Sequence, residues 1–329
     1  GLRLLNGAGF SGEYAGDLQT ANANVKLTAD SAAVATNTNS LILNGFGITN
    51  PGGAVTIPIS SASLAGNILI NSATNIAGSN TTLGITTTEL DILATANSTI
   101  SAVIGTATTG SLTLSGTGNV TLSAANLYTS TTFVNGATLT AGVSNALSSG
   151  GVTMRSGLYD LNGNSDTVGA ISLTGSTIST GAGTLTGNGS FTTATNANFA
   201  SIITGNLGLG ANATFTIGDG LMDNDAVISA VISGGFTFGK AGAGVLELSN
   251  SNTFSGITTI SAGILRLGTA GGGTNTPLGT TGGGTLIASG GALDLNGFTL
   301  GIAEAITSLA GTGFGASGSS NMGAIMNSS

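Results

Sequence analysis

The sequence predicts an all-β fold, a parallel β-solenoid built as a single elongated body, and three observations predict it. The first is an ordered internal duplication. Ile100-Ser101-Ala102-Val103-Ile104 returns as Ile228-Ser229-Ala230-Val231-Ile232, at an offset of 128. Gly118 to Gly142 aligns without gaps on Gly244 to Gly268 at an offset of 126, and Asp160-Leu161-Asn162-Gly163 returns as Asp294-Leu295-Asn296-Gly297 at 134. Such units bury their apolar faces only against neighbouring units. The second is period-2 alternation in short runs such as Leu112-Thr113-Leu114-Ser115, Val120-Thr121-Leu122-Ser123 and Leu293-Asp294-Leu295. The third is composition: 57 Gly and only 5% charged residues beside 40% hydrophobic ones. Disorder needs low hydrophobicity and high charge, so it is excluded. Collagen needs a Gly-X-Y period, which is absent.

The elements follow in chain order. Residues 1–97 read as irregular solenoid coils, with Leu41-Ile42-Leu43-Asn44-Gly45 the clearest strand and turn. Residues 98–225 form a first repeat unit and 226–329 a second, which ends in a Gly/Ser-rich tail. Turns fall at Asn44-Gly45, Asn135-Gly136, Asn162-Gly163 and Asn296-Gly297, pairs that reach the positive φ that tight corners need. Thr86 to Ile104 resists a helix because of its Thr-Thr-Thr and Asn-Ser-Thr runs. At about 20–25 residues per coil, Leu, Val and Ile fill the interior. Thr, Ser and Asn form ladders at corners and outside. A sandwich or jelly roll leaves the duplication unexplained. An outer-membrane barrel wants strands of about 10 residues and aromatic girdles, which 11 Phe and 3 Tyr do not supply.

Composition also bounds function. The net charge is −8, and Arg3, Lys26, Arg155, Lys240 and Arg266 are too few and scattered for nucleic acid or anionic lipid. No apolar run approaches the ~18 residues of a membrane helix, so no direct membrane insertion by this segment is expected. With no His and no Cys, thiol chemistry, His-based triads and His- or Cys-ligated metals are excluded. Gly1-Leu2-Arg3 does not open a signal peptide, which reads as a mature segment or part of a longer precursor.

The stretch Gly239 to Gly268 resembles the autotransporter-associated β-strand repeat. The pattern is carried by Gly242, Gly244, Leu246, Leu248, Phe254, Gly256, Thr258, Thr259, Ile260, Ala262, Gly263, Leu265, Leu267 and Gly268. In the earlier copy Ser130 replaces the turn glycine, and the Ala-Gly order is reversed at Gly136-Ala137. Asn162, Gly163, Asn296 and Gly297 complete the structural repeat positions. The resemblance implies a right-handed parallel β-helix in the passenger region of a secreted, cell-surface protein of a Gram-negative-type bacterium.

Candidate sites are sparse. Asp219, Asp223 and Asp225 sit close in sequence; on a strand, Asp223 and Asp225 would share a side and suit a hard cation such as Ca²⁺ or an acid–base pair. A solvated turn is the plainer reading. Asp160 and Asp294 occupy equivalent positions and read as outward strand residues or Asx-turn formers. Glu89 and Asp91 read as solvated. Phe133, Phe236, Phe238 and Phe254 are expected inside. Tyr14, Tyr128 and Tyr159 are too far apart in sequence for a sugar platform, and the Gly271–Gly273 and Gly282–Gly284 runs are loops. No cofactor is expected. The reading is a non-catalytic structural or adhesive stalk whose surface glycan or protein receptor the sequence does not name. The alternatives are a filament built by end-to-end self-association, with Leu2-Arg3-Leu4-Leu5 docking on a neighbour's last coil, and a polysaccharide-active enzyme using carboxylates.

Overall fold

The computed structural model describes residues 14–15, 23–27, 29–32, 38–49, 54–59, 66–76, 78, 81–85, 89–105, 110–194, 199–301, 303–310, 313 and 323–329. Leu2 to Leu5 and most of the Gly/Ser-rich tail lie outside these residues. Two compact units emerge, one of Gly1–Gly150 with Gly157–Asp160 and one of Gly151–Ser156 with Leu161–Ser329.

The first unit is a parallel β-solenoid with three sheets. Its first sheet includes Thr38–Asn44, Gly66–Ser72, Glu89–Ala94, Ser111–Gly116 and Thr132–Asn135 in that order. The second includes Thr74–Ile76, Ser98–Ile100, Asn119–Leu122, Thr138–Ala141 and Leu158–Asp160. The third is shorter: Val55–Pro58, Thr81–Gly84 and Val103–Ile104. Strand order rises with sequence order within each sheet because each strand pairs with its counterpart one coil later, as β-formers with alternating polarity dictate. Leu41, Ile68, Ile92, Leu114 and Val134 are register partners and form one interior ladder, each at most 1% exposed.

The second unit repeats the plan. Its first sheet runs through Ile171–Thr174, Phe191–Thr193, Ala213–Ile217, Phe238–Ala241, Thr258–Ile260 and Thr285–Ile287. Its second runs through Ser201–Thr204, Ala226–Ile228, Val245–Leu248, Gly263–Leu267 and Gly291–Asp294. Its third holds Asp166–Val168, Leu185–Gly187, Asn206–Leu209 and Val231–Ser233. Register partners lie 20 residues apart at Ile171 and Phe191 and 25 apart at Phe215 and Lys240, the spacing of one coil. The repeat leucines account for the core: Leu246 aligns with Leu265, and Leu248 with Leu267, all buried. Among the described strands, the antiparallel pair is the hairpin of Asn275–Thr276 with Gly279–Thr280.

An aromatic column runs beside these ladders. Ring centroids are 4.8 Å apart for Phe191 and Phe215, 4.5 Å for Phe215 and Phe238, and 5.4 Å for Phe238 and Phe254. Each stacked pair adds roughly 0.5–1.5 kcal/mol beyond area burial. Phe238 and Phe254 are inside as expected, but Phe133 and Phe236 are not. Phe133 takes the outward phase of Thr132–Asn135, while Thr132 and Val134 point in. Phe236 precedes its strand and is exposed. Tyr128 and Tyr159, distant in sequence, are both buried.

Candidate functional site

The acidic segment 219–225 is a loop between Ala213–Ile217 and Ala226–Ile228, not a strand, so the shared-side argument for Asp223 and Asp225 does not apply. Asp219 and Asp223 are exposed, whereas Asp225 is buried. Asp225 Oδ1 accepts the Gly220 amide at 2.8 Å and Oδ2 accepts the Val245 amide at 2.8 Å. Both oxygens therefore hold backbone: one closes the loop, the other fixes the first residue of Val245–Leu248. Among the described residues no group of three or more acidic side chains is placed to hold a metal ion.

The strongest polar cluster lies beside this loop, on the outward positions of the second sheet. Glu247, Arg266 and Asp294 are consecutive register partners. Arg266 Nε donates to Asp294 Oδ2 at 2.9 Å, and its Nη1 donates to Asn224 Oδ1 at 2.8 Å and to the Asp223 carbonyl at 3.1 Å. Asn224 Nδ2 donates to Glu247 Oε2 at 2.7 Å, and Ser249 Oγ donates to Glu247 Oε1 at 2.6 Å. Asp294 also accepts the Asn296 amide at 2.9 Å, which makes the expected Asx turn. It accepts further from the Ser328 amide at 3.1 Å and the Ser328 hydroxyl at 2.7 Å. Burial pushes its carboxyl up, but the bonds from Ser328, Arg266 and Asn296 outweigh that and hold it below the usual 3.8. The guanidinium thus ties the acidic loop to the second sheet through the Asp223 carbonyl and Asn224 rather than through the loop's carboxylates.

A second buried charge went unread in the sequence. Lys240 follows Phe238 at period 2 and so points inward, where it is wholly buried. Its Nζ donates to the carbonyls of Gly242 at 2.8 Å, Ala241 at 3.0 Å and Ala262 at 3.0 Å. Desolvation lowers its pKa to about 8, against an opposing pull from Asp225. Gly263, at φ 69°, is constrained by the backbone, because a Cβ there would fall on the Gly242 carbonyl and sit 2.6 Å from that of Gly244, with Nζ next at 2.7 Å. The strand alternation alone would have placed Lys240 inside.

The remaining predicted positions are structural in placement. Asn162 and Asn296 adopt φ of 50° and 47°, and Gly163 and Gly297 follow at 78° and 76°, so each pair turns a corner in the left-handed region. At Gly256 a Cβ would fall on the Phe236 carbonyl, and at Gly244 one would sit 2.7 Å from Asp225 Oδ2. Asp160 is half-buried at the register position next to Thr140, as Asp294 is next to Arg266. Glu89 and Asp91 share the outer face of Glu89–Ala94, half-buried rather than fully solvated. Burial first, then the Glu89 charge, raises the Asp91 carboxyl above the usual range. Glu89 accepts a hydrogen bond from Thr113 one coil on.

The passenger-associated-transport-repeat family matches this chain at residues 109–141 and 238–267. These two segments are passenger-type repeats, as the resemblance implied, and they include the duplicated strands of the second sheet in each unit. Comparison with curated proteins and with solved structures returned no match.

Proposed function

We propose that this chain is a passenger segment of an exported bacterial surface protein and that it serves as a non-catalytic structural or adhesive β-solenoid. The observation that carries the reading is the occurrence of two passenger-type repeats at equivalent places in coils of a parallel solenoid. The carboxylates agree with it. Those of Asp225, Glu247 and Asp294 are engaged in holding backbone, amide, hydroxyl or guanidinium groups. The wall is polar but nearly uncharged, which suits a surface that offers hydrogen bonds without attracting polyions. Antibody labelling of intact cells making the native protein tests the location. Labelling without permeabilisation is expected; labelling that appears only after permeabilisation would overturn it.

A second reading, cleavage of a polysaccharide by a carboxylate pair, draws on Glu89 and Asp91. They are adjacent on one outer face, and the Asp91 carboxyl is raised. It requires turnover on a polysaccharide panel that Glu89→Gln abolishes with the fold intact. No turnover on any member would sink it.

A further inference from the structure

The third sheet of each unit stops at the passenger-type repeat, and it stops the same way twice. In the first unit its last strand is Val103–Ile104. On the next coil Asn126 Oδ1 accepts the Ile104 amide at 2.7 Å, and the Leu127 amide donates to the Ile104 carbonyl at 2.9 Å. In the second unit the last strand is Val231–Ser233. Asn252 Oδ1 accepts the Ile232 amide at 2.7 Å, and the Thr253 amide donates to the Ile232 carbonyl at 2.8 Å. One side-chain carbonyl and one backbone amide thus satisfy the edge residue as a further parallel strand would, without a strand being present.

The other half of each side chain reaches forward. Asn126 Nδ2 donates to the Ala146 carbonyl at 2.6 Å, and Asn252 Nδ2 donates to the Pro277 carbonyl at 2.7 Å. The residue after each of those carbonyls is a buried leucine, Leu147 or Leu278. A little further on, a Cβ at Gly150 would fall on the Ser130 carbonyl, and one at Gly283 on the equivalent Gly256 carbonyl. The same clip, plug and close approach recur, yet the spacing between them differs. The offset is 126 at Asn126 and Asn252, 131 at Leu147 and Leu278, 133 at Gly150 and Gly283, and 134 at Asp160 and Asp294. Five of the extra residues of the second copy lie between Gly268 and Leu278, just after the second-sheet strand Gly263–Leu267, where the hairpin of Asn275–Thr276 and Gly279–Thr280 begins.

We propose that each passenger-type repeat is a mount for a loop of variable length. Asn126 and Asn252 are its positioning residues: they seal the edge of the third sheet and grip the returning chain. The variable length lies between the second-sheet strand and the leucine plug, from Gly142 to Leu147 and from Gly268 to Leu278, where the second copy holds five more residues than the first. Segments of new sequence, including binding loops, are accommodated there without disturbing the other two sheets.

The test pairs insertions with substitutions in the full chain. A short Gly-Ser segment placed between Val143 and Ser144 leaves the urea midpoint unchanged. The same segment placed between Gly208 and Leu209, inside a third-sheet strand, lowers it. Equal losses at the two places would overturn the proposal. Asn126→Ala and Asn252→Ala each release an edge amide, so hydrogen exchange at Ile104 or Ile232 becomes about tenfold faster. Asn252→Asp keeps the acceptor and loses the donor, so Ile232 stays protected while the amides around Pro277 exchange faster. Unchanged exchange at Ile104 and Ile232 in both alanine variants would also overturn it.

Discussion

The buried Lys240 predicts a rise of stability with alkaline pH. Its folded pKa of about 8 lies below the ordinary 10.5. Between those values the unfolded chain binds more protons, so stability increases as pH rises through the interval. From about pH 7.5 to about pH 9.5 the two proton-binding curves give a gain of about 2 kcal/mol. Tyrosine ionisation in the unfolded chain opposes the gain near pH 10, which sets the upper limit of the window. The perturbation is Lys240→Met, which keeps the length and apolar stem and removes the amine. Two effects then compete at neutral pH. Three half-buried carbonyls, those of Ala241, Gly242 and Ala262, lose their donor, at roughly 1–3 kcal/mol each. Removing the desolvated charge returns about 3 kcal/mol. The carbonyl cost is the larger, so the variant is less stable by a few kcal/mol, but its stability no longer climbs across the window. Urea midpoints followed by far-ultraviolet circular dichroism at several pH values measure both. A flat profile for the natural protein, or an undiminished rise in Lys240→Met, would refute the reasoning.

Other outcomes follow from the same geometry. Arg266→Met leaves the buried Asp294 without its cation; because Arg266 is 17% exposed, the expected loss is discounted to about 2 kcal/mol at neutral pH. Asp294 has a lowered folded pKa, so its contribution is present above pH 3.8 and fades as pH falls through the folded value. The gap between variant and natural protein therefore narrows as pH falls below 3.8, which paired urea titrations would detect. Gly242→Ala places a side chain at φ 76° against the Ile217 backbone and costs about 2 kcal/mol or more, whereas Gly235→Ala, with open space around it, stays within about 0.5 kcal/mol; thermal melts compare the two. Millimolar Ca²⁺ leaves the melting temperature unchanged, because both Asp225 oxygens already hold amides; a rise that a chelator reverses would restore a metal role for Asp219, Asp223 and Asp225.

The sequence by itself determined the class of fold and the phase of most strands. Alternation in Val245–Leu248 and Gly263–Leu267 states which leucines point inward, because a strand has only two sides. The Asn-Gly pairs at 162–163 and 296–297 announce corners because few other residues tolerate positive φ. What lies between coils was decided only by the tertiary structure. The partner of a side chain in a solenoid sits a whole coil away in sequence, at a distance that loop length alters freely. Arg266 and Asp294 are 28 residues apart, and Arg266 and Asn224 are 42 apart. Asn126 and Asn252 were legible as one conserved asparagine between two copies, but an exposed turn and a buried clip share that signature. The difference is whether an unpaired edge amide stands opposite, and only the stacking of one coil on the next puts Ile104 and Ile232 there.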